Sequence, residues 1–291
     1  MDRRPTRIAA AILTVLAAAG AAASGAGPAA AEFAIGSPER IVSLNMCTDE
    51  LLLRLVPTER IASVTWLSQD PRAANMAEAA RRVPANHGLA EEVLAFRPDL
   101  VVAGRYTTRV TVALLRRAGL RVVDFDVPND LAAVYGQIRA FGALVGEGAR
   151  AEAHVGDMEL RLARMEATAD RPRAFVLRPN GFTAGRGSLV DAILTRAGLD
   201  NVAARLDLGN YGQVPLETVV IEGAELLIVD GERAGPASLA TALLDHPVLT
   251  KLRRRVRGVA LPSRFWNCAG PAVVDAVEHL REAARTAGAR P

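Results

Sequence analysis

The sequence predicts an α/β protein of two Rossmann-like lobes with mostly parallel sheets, bridged by a single long α-helix. Three observations carry that prediction. Short β-type runs alternate with helical patterns of about 8–12 residues, which argues for βαβ units. The alternation pauses at one long helical stretch, 147–169, and restarts at Arg173. The halves also resemble each other weakly. A shift of 126 residues lays Glu91-Glu92-Val93 on Glu217-Thr218-Val219, and Asp99-Leu100-Val101-Val102 on Glu225-Leu226-Leu227-Ile228.

In the first half, strands are expected at 40–44, 60–64, 99–103 and 121–125. Between them lie helical patterns at 50–55, 75–82, 89–94 and 107–118, with Thr48 or Asn45 as the first cap. Asp130 caps a further helix that runs to Val145, on which Val134, Ile138, Phe141 and Val145 keep helical spacing. The bridging stretch follows. Ala151, Val155, Met158, Leu162 and Met165 recur four, three, four and three apart, which places them on one stripe. At 1.5 Å per residue that helix spans roughly 33 Å. In the second half, strands are expected at 173–177, 225–229 and 258–262, and helices at 188–197, 216–221, 237–244, 247–254 and 271–287. The organisation expected is a leader at 1–31, a lobe at 32–146, the linking helix at 147–170 and a second lobe at 171–291.

The leader rests on Arg3, Arg4 and Arg7, followed by an Ala-rich apolar run from Ile8 to Ala23 and by small residues up to Ala31. That is the layout of a secretory signal peptide cleaved after Ala31, so the mature chain is expected in the periplasm. Its removal takes away three Arg and one Asp and lowers the net charge from +3 to +1. The basic residues are otherwise scattered, apart from Arg253-Arg254-Arg255 and Arg257, so nucleic acid is not an expected partner. Two cysteines remain, Cys47 and Cys268, near opposite ends of the mature chain. In an oxidising compartment they stand open as a disulfide, a ligand set or two free thiols.

Catalytic motifs are lacking: there is no GxGxxG after a strand, no phosphate loop, no HExxH and no CxxC. The glycine-rich run 181–187 lacks the Lys-Ser/Thr of a phosphate loop. Of the four histidines, His154 and His279 lie in segments read as helices, His246 sits at the start of one, and His87 lies in none. The aromatics are more informative. Among twelve Phe, Trp and Tyr, the residues Trp66, Tyr106, Tyr211 and Trp266 fall on expected loops, and Trp66 and Tyr106 directly follow strands. Open parallel sheets bind ligands at that carboxyl edge. With Phe182, Asn45, Asn267 and Arg186 close by, such loops suit a large, partly apolar ligand with planar faces.

Three stretches carry a family resemblance: RIVSLNMCTDELLL at 40–53, GLAEEVLAFRPDLVVAG at 88–104 and FTAGRGSLVDAILTRAGLDNVA at 182–203. They resemble the periplasmic solute-binding proteins of ABC importers of the cobalamin and ferric-siderophore type, whose lobes are joined by one long helix. The resemblance covers nearly all of the mature chain. It implies a central cleft, little hinge motion and delivery of ligand to an inner-membrane permease, with no reaction catalysed and no resident cofactor. The ligand it implies is cobalamin, another corrinoid or a ferric siderophore, captured by a monomer. The residues expected to contact it are Asn45, Cys47, Trp66, His87, Tyr106, Phe182, Arg186, Tyr211, Trp266 and Cys268. After Gly104 the chain reads Tyr106-Thr107-Thr108-Arg109, so the family's docking Glu is not carried over. Both cysteines sit in loops that the family turns toward the cleft. They are expected as free thiols shielded by ligand, with a disulfide or two unrelated buried thiols as the alternatives.

Two rival functions remain. Haem binding needs an axial ligand such as His87, Tyr211 or a Cys. A chelatase-like enzyme needs His and carboxylates converging in the cleft, for which the sequence offers His87 with Glu91 and Glu92.

Overall fold

Asn45 joins the first strand to the first helix. Its backbone is extended, and its side-chain oxygen accepts the Cys47 amide, so Ile41–Ser43 (β1) passes directly into Met46–Leu55 (α1). The computed structural model describes residues 37–166, 170–231, 244, 246–252 and 256–288. The leader expected at 1–31, most of the helix expected at 237–244 and the basic run 253–255 lie outside them.

After α1 the first lobe continues through Ile61–Thr65 (β2), Ala77–Ala80 (α2), Ala85–Asn86 (β3), Ala90–Ala95 (α3) and Leu100–Gly104 (β4). Arg109–Arg117 (α4), Val122–Phe125 (β5) and Leu131–Val145 (α5) complete it. Its five strands are all parallel, in the order β3-β2-β1-β4-β5. β1 and β4 are fully buried apart from Gly104, as the apolar runs require of strands covered on both faces.

Gly148–Ala163 (α6) follows. The second lobe is built from Arg173–Leu177 (β6), Phe182–Ala184 (β7), Leu189–Arg196 (α7), Asp200–Asn201 (β8), Tyr211–Gln213 (β9) and Leu216–Ile221 (α8). Leu226–Asp230 (β10), Pro247–Leu252 (α9), Arg257–Leu261 (β11) and Val273–Gly288 (α10) end the chain. Four strands form a parallel sheet in the order β11-β10-β6-β8, and β7 pairs antiparallel with β9. The protein is thus α/β, with two mostly parallel sheets and their covering helices. The 126-residue shift seen in the sequence takes α3–β4 onto α8–β10, and both units place a strand beside the first strand of its sheet.

The bridging helix is shorter than its periodicity predicts. It ends at Ala163, with Arg164 as its cap, so it measures about 24 Å rather than the expected length. Ala151, Val155, Met158 and Leu162 of its stripe are buried, and Met165 packs against the same core from beyond the helix end. The connection is also a hairpin rather than a lone strut. α5 ends at Gly146, whose φ of 75° lets the chain turn back into α6. The two helices approach so closely that a Cβ on Gly142 would lie 2.3 Å from the Ala151 Cβ.

Polar contacts fix this hairpin to both lobes. Arg60 donates to the Val145 carbonyl at 2.6 Å and pairs with Glu147 at 2.8 Å, while Arg150 donates to the Leu55 carbonyl at the end of α1. Toward the other end, Arg161 reaches Asp275 and Glu278 of α10 at 2.6 Å each. One apolar core runs through all of these elements, from Ile41, Leu52 and Leu100 past Phe141 and Met158 to Ile193 and Leu280. The lobes therefore share a core.

Three features escaped the sequence reading. Strands β3 and β8 have two residues each, too short for an alternation to register. α1 starts at Met46, four residues before the apolar run that suggested a helix. The β7–β9 pair lies within glycine-rich segments read as loops.

At the helix contact, Gly142→Ala is expected to push α5 from α6 and destabilise the protein by about 1–3 kcal/mol. Urea unfolding measures the loss, and an unchanged midpoint would show that the hairpin can relax.

Candidate ligand-binding cleft

Because both main sheets are parallel, the carboxyl ends of each lie along one edge. In each sheet the strand order reverses once, between β1 and β4 and between β6 and β10. Chains leaving those neighbouring strands diverge and leave a crevice, where such sheets bind ligands. A cavity of about 90 Å³ lies at the first crevice, bounded by Asn45, Thr48, Gly104, Tyr106 and Val127 among others. Gly104 is needed there: a Cβ would come within 2.8 Å of the Asn45 amide group. At the second crevice a cavity of about 200 Å³ is bounded by Leu177, Arg178, Ile228, Asp230, Ser263 and Trp266. Between the two lies a larger space of about 620 Å³. Arg105, Tyr106, Asp126, Val127 and Asn129 line it from the first lobe, and Arg178, Asn210, Tyr211, Trp266 and Asn267 from the second. Shared lining residues make the three spaces one cleft.

The rings differ in exposure. Tyr106 is 79% exposed and Tyr211 47%, so both present faces to solvent from opposite walls. Trp266 is buried and serves as a platform: the Arg178 guanidinium carbon stands 5.2 Å from its ring centre. Arg178 Nη1 donates to Asn267 Oδ1 at 3.4 Å, and its buried Nη2 has no partner among the described residues. Burial lowers the pKa of Arg178, with Tyr211 and Asp230 acting the other way. On the facing wall Arg105 is ion-paired with Asp126, whose carboxyl is held below the usual carboxylate range by the Val127 amide and by Arg105.

The two lobes also touch along the cleft. Asn210 Nδ2 donates to Asn129 Oδ1 at 3.2 Å. Elsewhere, Asn75 Nδ2 donates both to Glu50 Oε2 at 3.1 Å and to the Arg264 carbonyl at 2.7 Å. In the first turn of α1, Cys47 forms a disulfide with Cys268, the Cα atoms 4.9 Å apart. This corrects the expectation of free thiols in the ligand-free protein. That expectation assumed an open cleft between the loops, whereas the turn from Ser263 to Gly270 packs onto the start of α1 and brings the Cα atoms within disulfide range.

Of the ten residues expected at the site, Asn45, Cys47, Tyr106, Tyr211 and Trp266 line the cleft, and Cys268 is buried beside it in the disulfide. Trp66 and His87 do follow β2 and β3 on the same carboxyl edge, but they sit beyond these cavities at the far end of the sheet. There they stack on each other, 6.2 Å between ring centres, and His87 Nδ1 lies 3.0 Å from Glu92. Phe182 and Arg186 are exposed on and after β7, outside these cavities. Sequence reasoning missed Arg105, Asp126 and Arg178. The signal was present, because each directly follows a strand, but a charged residue at a strand end reads as solvated.

Asp49 holds the turn that carries Trp66. This fully buried carboxylate accepts from the Thr65 amide and hydroxyl and from Ser68 Oγ, while its Oδ1 has no partner among the described residues. Burial pushes its pKa up from 3.8 to about 6, against those hydrogen bonds.

A family model described as periplasmic binding protein matches residues 41–253. A cobalamin-binding protein of Halobacterium salinarum is 27% identical over 257 residues, which span 84% of this chain and 69% of that relative. Among solved structures, a periplasmic haem-binding protein from Pseudomonas aeruginosa superposes with a TM-score of 0.69 at 24% identity, covering 85% of this chain and 92% of its own. The periplasmic vitamin B12-binding protein BtuF of Vibrio cholerae gives 0.65 at 19% identity, covering 87% and 99%. At these identities the structural likeness speaks to the fold.

Ionising Asp49 costs more folded than unfolded, so its contribution favours low pH and is lost as pH rises from about 4 through about 6. Asp49→Asn removes that dependence. Its stability advantage over the wild type should shrink by about 1–1.5 kcal/mol between about pH 7.5 and pH 5, measured by denaturant unfolding at each pH. A constant difference would place the carboxyl at an ordinary pKa. For the disulfide, peptide mapping without reductant should recover Cys47 and Cys268 in one linked peptide. Cys47→Ser with Cys268→Ser should cost about 2–5 kcal/mol of stability.

Proposed function

The chain belongs to the periplasmic binding protein family, and from that premise we propose that it serves an ABC importer by capturing a metal chelate, cobalamin or another corrinoid, in its cleft and delivering it to a membrane permease. The observation that carries this reading is the pairing of Tyr106 and Tyr211 from opposite lobes across one space of about 620 Å³. Ring faces on two walls suit a broad, partly apolar ligand. The size of the space suits partial rather than complete enclosure of a macrocycle.

A corrinoid is favoured over a ferric siderophore by the sequence relative that is described as cobalamin-binding and aligns along most of this chain. The chemistry of the walls agrees. A corrinoid can be carried with its metal already coordinated, and then asks the protein for ring faces and hydrogen-bond donors rather than for a metal ligand. Both sulfurs here are bonded to each other, and His87 is engaged by Trp66 and Glu92. Haem is the second reading, favoured by one feature: Tyr211 lines the cleft and could offer its phenol as an axial ligand.

Titration with cyanocobalamin, a ferric hydroxamate siderophore and haemin separates these readings. Cyanocobalamin should quench tryptophan emission saturably with a Kd below about 1 μM. Tyr106→Ala and Tyr211→Ala should each weaken binding by about 1–3 kcal/mol. Haemin binding with a shifted Soret band, abolished by Tyr211→Phe and without corrinoid binding, would establish haem instead. Failure of all three ligands would refute chelate capture.

A further inference from the structure

The Arg178 guanidinium stands at the wall between the deep lobe-two cavity and the open cleft, for Arg178, Trp266 and Asn267 line both. It is loosely held. The Trp266 ring supports one face, the hydrogen bond to Asn267 is long at 3.4 Å, and buried Nη2 has no acceptor among the described residues. A guanidinium carries five N–H donors in a planar fork, and a buried donor without a partner calls for an explanation. Arg105 on the facing wall poses no such question, because Asp126 already pairs with it. A bound anion would satisfy Arg178 and would offset the desolvation that disfavours its charge.

We propose that Arg178 is the anion anchor of the cleft, taking a carboxylate or phosphodiester group carried on the periphery of the bound chelate. This rests on the chelate-capture reading and adds that the chelate is acidic at its edge. The space behind Arg178, about 200 Å³, is worth about seven water volumes. It admits a short acidic arm and not a macrocycle. Val176, Leu177, Ile228 and Val229 give it apolar walls, which strengthen a charge-assisted bond. Ser263 and Asn267 add neutral donors. Asp230 lies on the same wall and accepts the Ser263 amide at 3.1 Å.

Two independent measurements test the anchor. In the first, cyanocobalamin, which bears a phosphodiester, is compared with dicyanocobinamide, which lacks it, on wild type, Arg178→Gln and Arg178→Lys. Arg178→Gln should raise the Kd for cyanocobalamin about tenfold or more and leave cobinamide within about twofold. Arg178→Lys, which keeps the charge and loses the fork, should fall between. Equal losses for both corrinoids, or no loss, overturn the anchor. In the second, Trp66→Phe leaves Trp266 as the sole tryptophan, and inorganic phosphate or propionate is titrated at constant ionic strength. Trp266 emission should change saturably, and not when Arg178→Gln is also present. Phosphate and propionate together separate a phosphodiester site from a carboxylate site. A flat response to both overturns the anchor even if a chelate is captured. A saturable response without corrinoid binding upholds the anchor and refutes the corrinoid. Circular dichroism of each variant confirms folding.

Discussion

The close approach of α5 and α6 at Gly142 and Ala151 decides where the rest of the molecule can lie. Helices normally pack 8–10 Å apart, with the distance set by the side chains at the contact. A glycine facing an alanine draws this pair together, so one hairpin can present Phe141 and Ile138 to the first sheet and Met158 and Leu162 toward the second lobe. The shared core follows from that, and the Arg161 pairs to α10 are built upon it. Partly exposed ion pairs contribute little each, so their effect is more to orient α6 than to stabilise it. The apolar seam does most of the holding.

Much of this architecture was legible because it is local. Strand 173–177 and helix 216–221 fall where their residue patterns put them, and Asp130 with Gly146 bounds α5 by cap chemistry alone. The bridging helix was overextended because Met165 keeps the stripe, and a stripe does not record where the backbone leaves it. Long-range pairings were not legible. β7 and β9 pair across a span of intervening chain with no repeat or turn signature to announce them. Cys47 and Cys268 are separated by 221 positions, and nothing in either neighbourhood points to the other.

The candidate site shows the same division. The rule that ligands gather at strand carboxyl ends found Tyr106, and it reached Trp66 as well. It could not tell which part of that edge faces the second lobe. The β4–β5 end does so across the cleft, whereas the Trp66–His87 stack lies by β2 and β3, outside those cavities. Arg178 obeys the same rule from the other sheet. It was passed over because a charged side chain at a strand end is ordinarily hydrated, and its burial depends on Trp266, almost ninety residues away in sequence.

The link between Cys47 and Cys268 also changes what kind of object the polypeptide is. From residue 47 to residue 268 the chain is a closed covalent ring, with the two lobes as its arcs and α6 lying within it. Cutting a ring once does not divide it. A single peptide-bond break in any loop between those positions, including the segments that connect the lobes, leaves one molecule with both cleft walls still attached to each other. The ring gives the joined cleft walls a tolerance to a single cut that an open chain would lack.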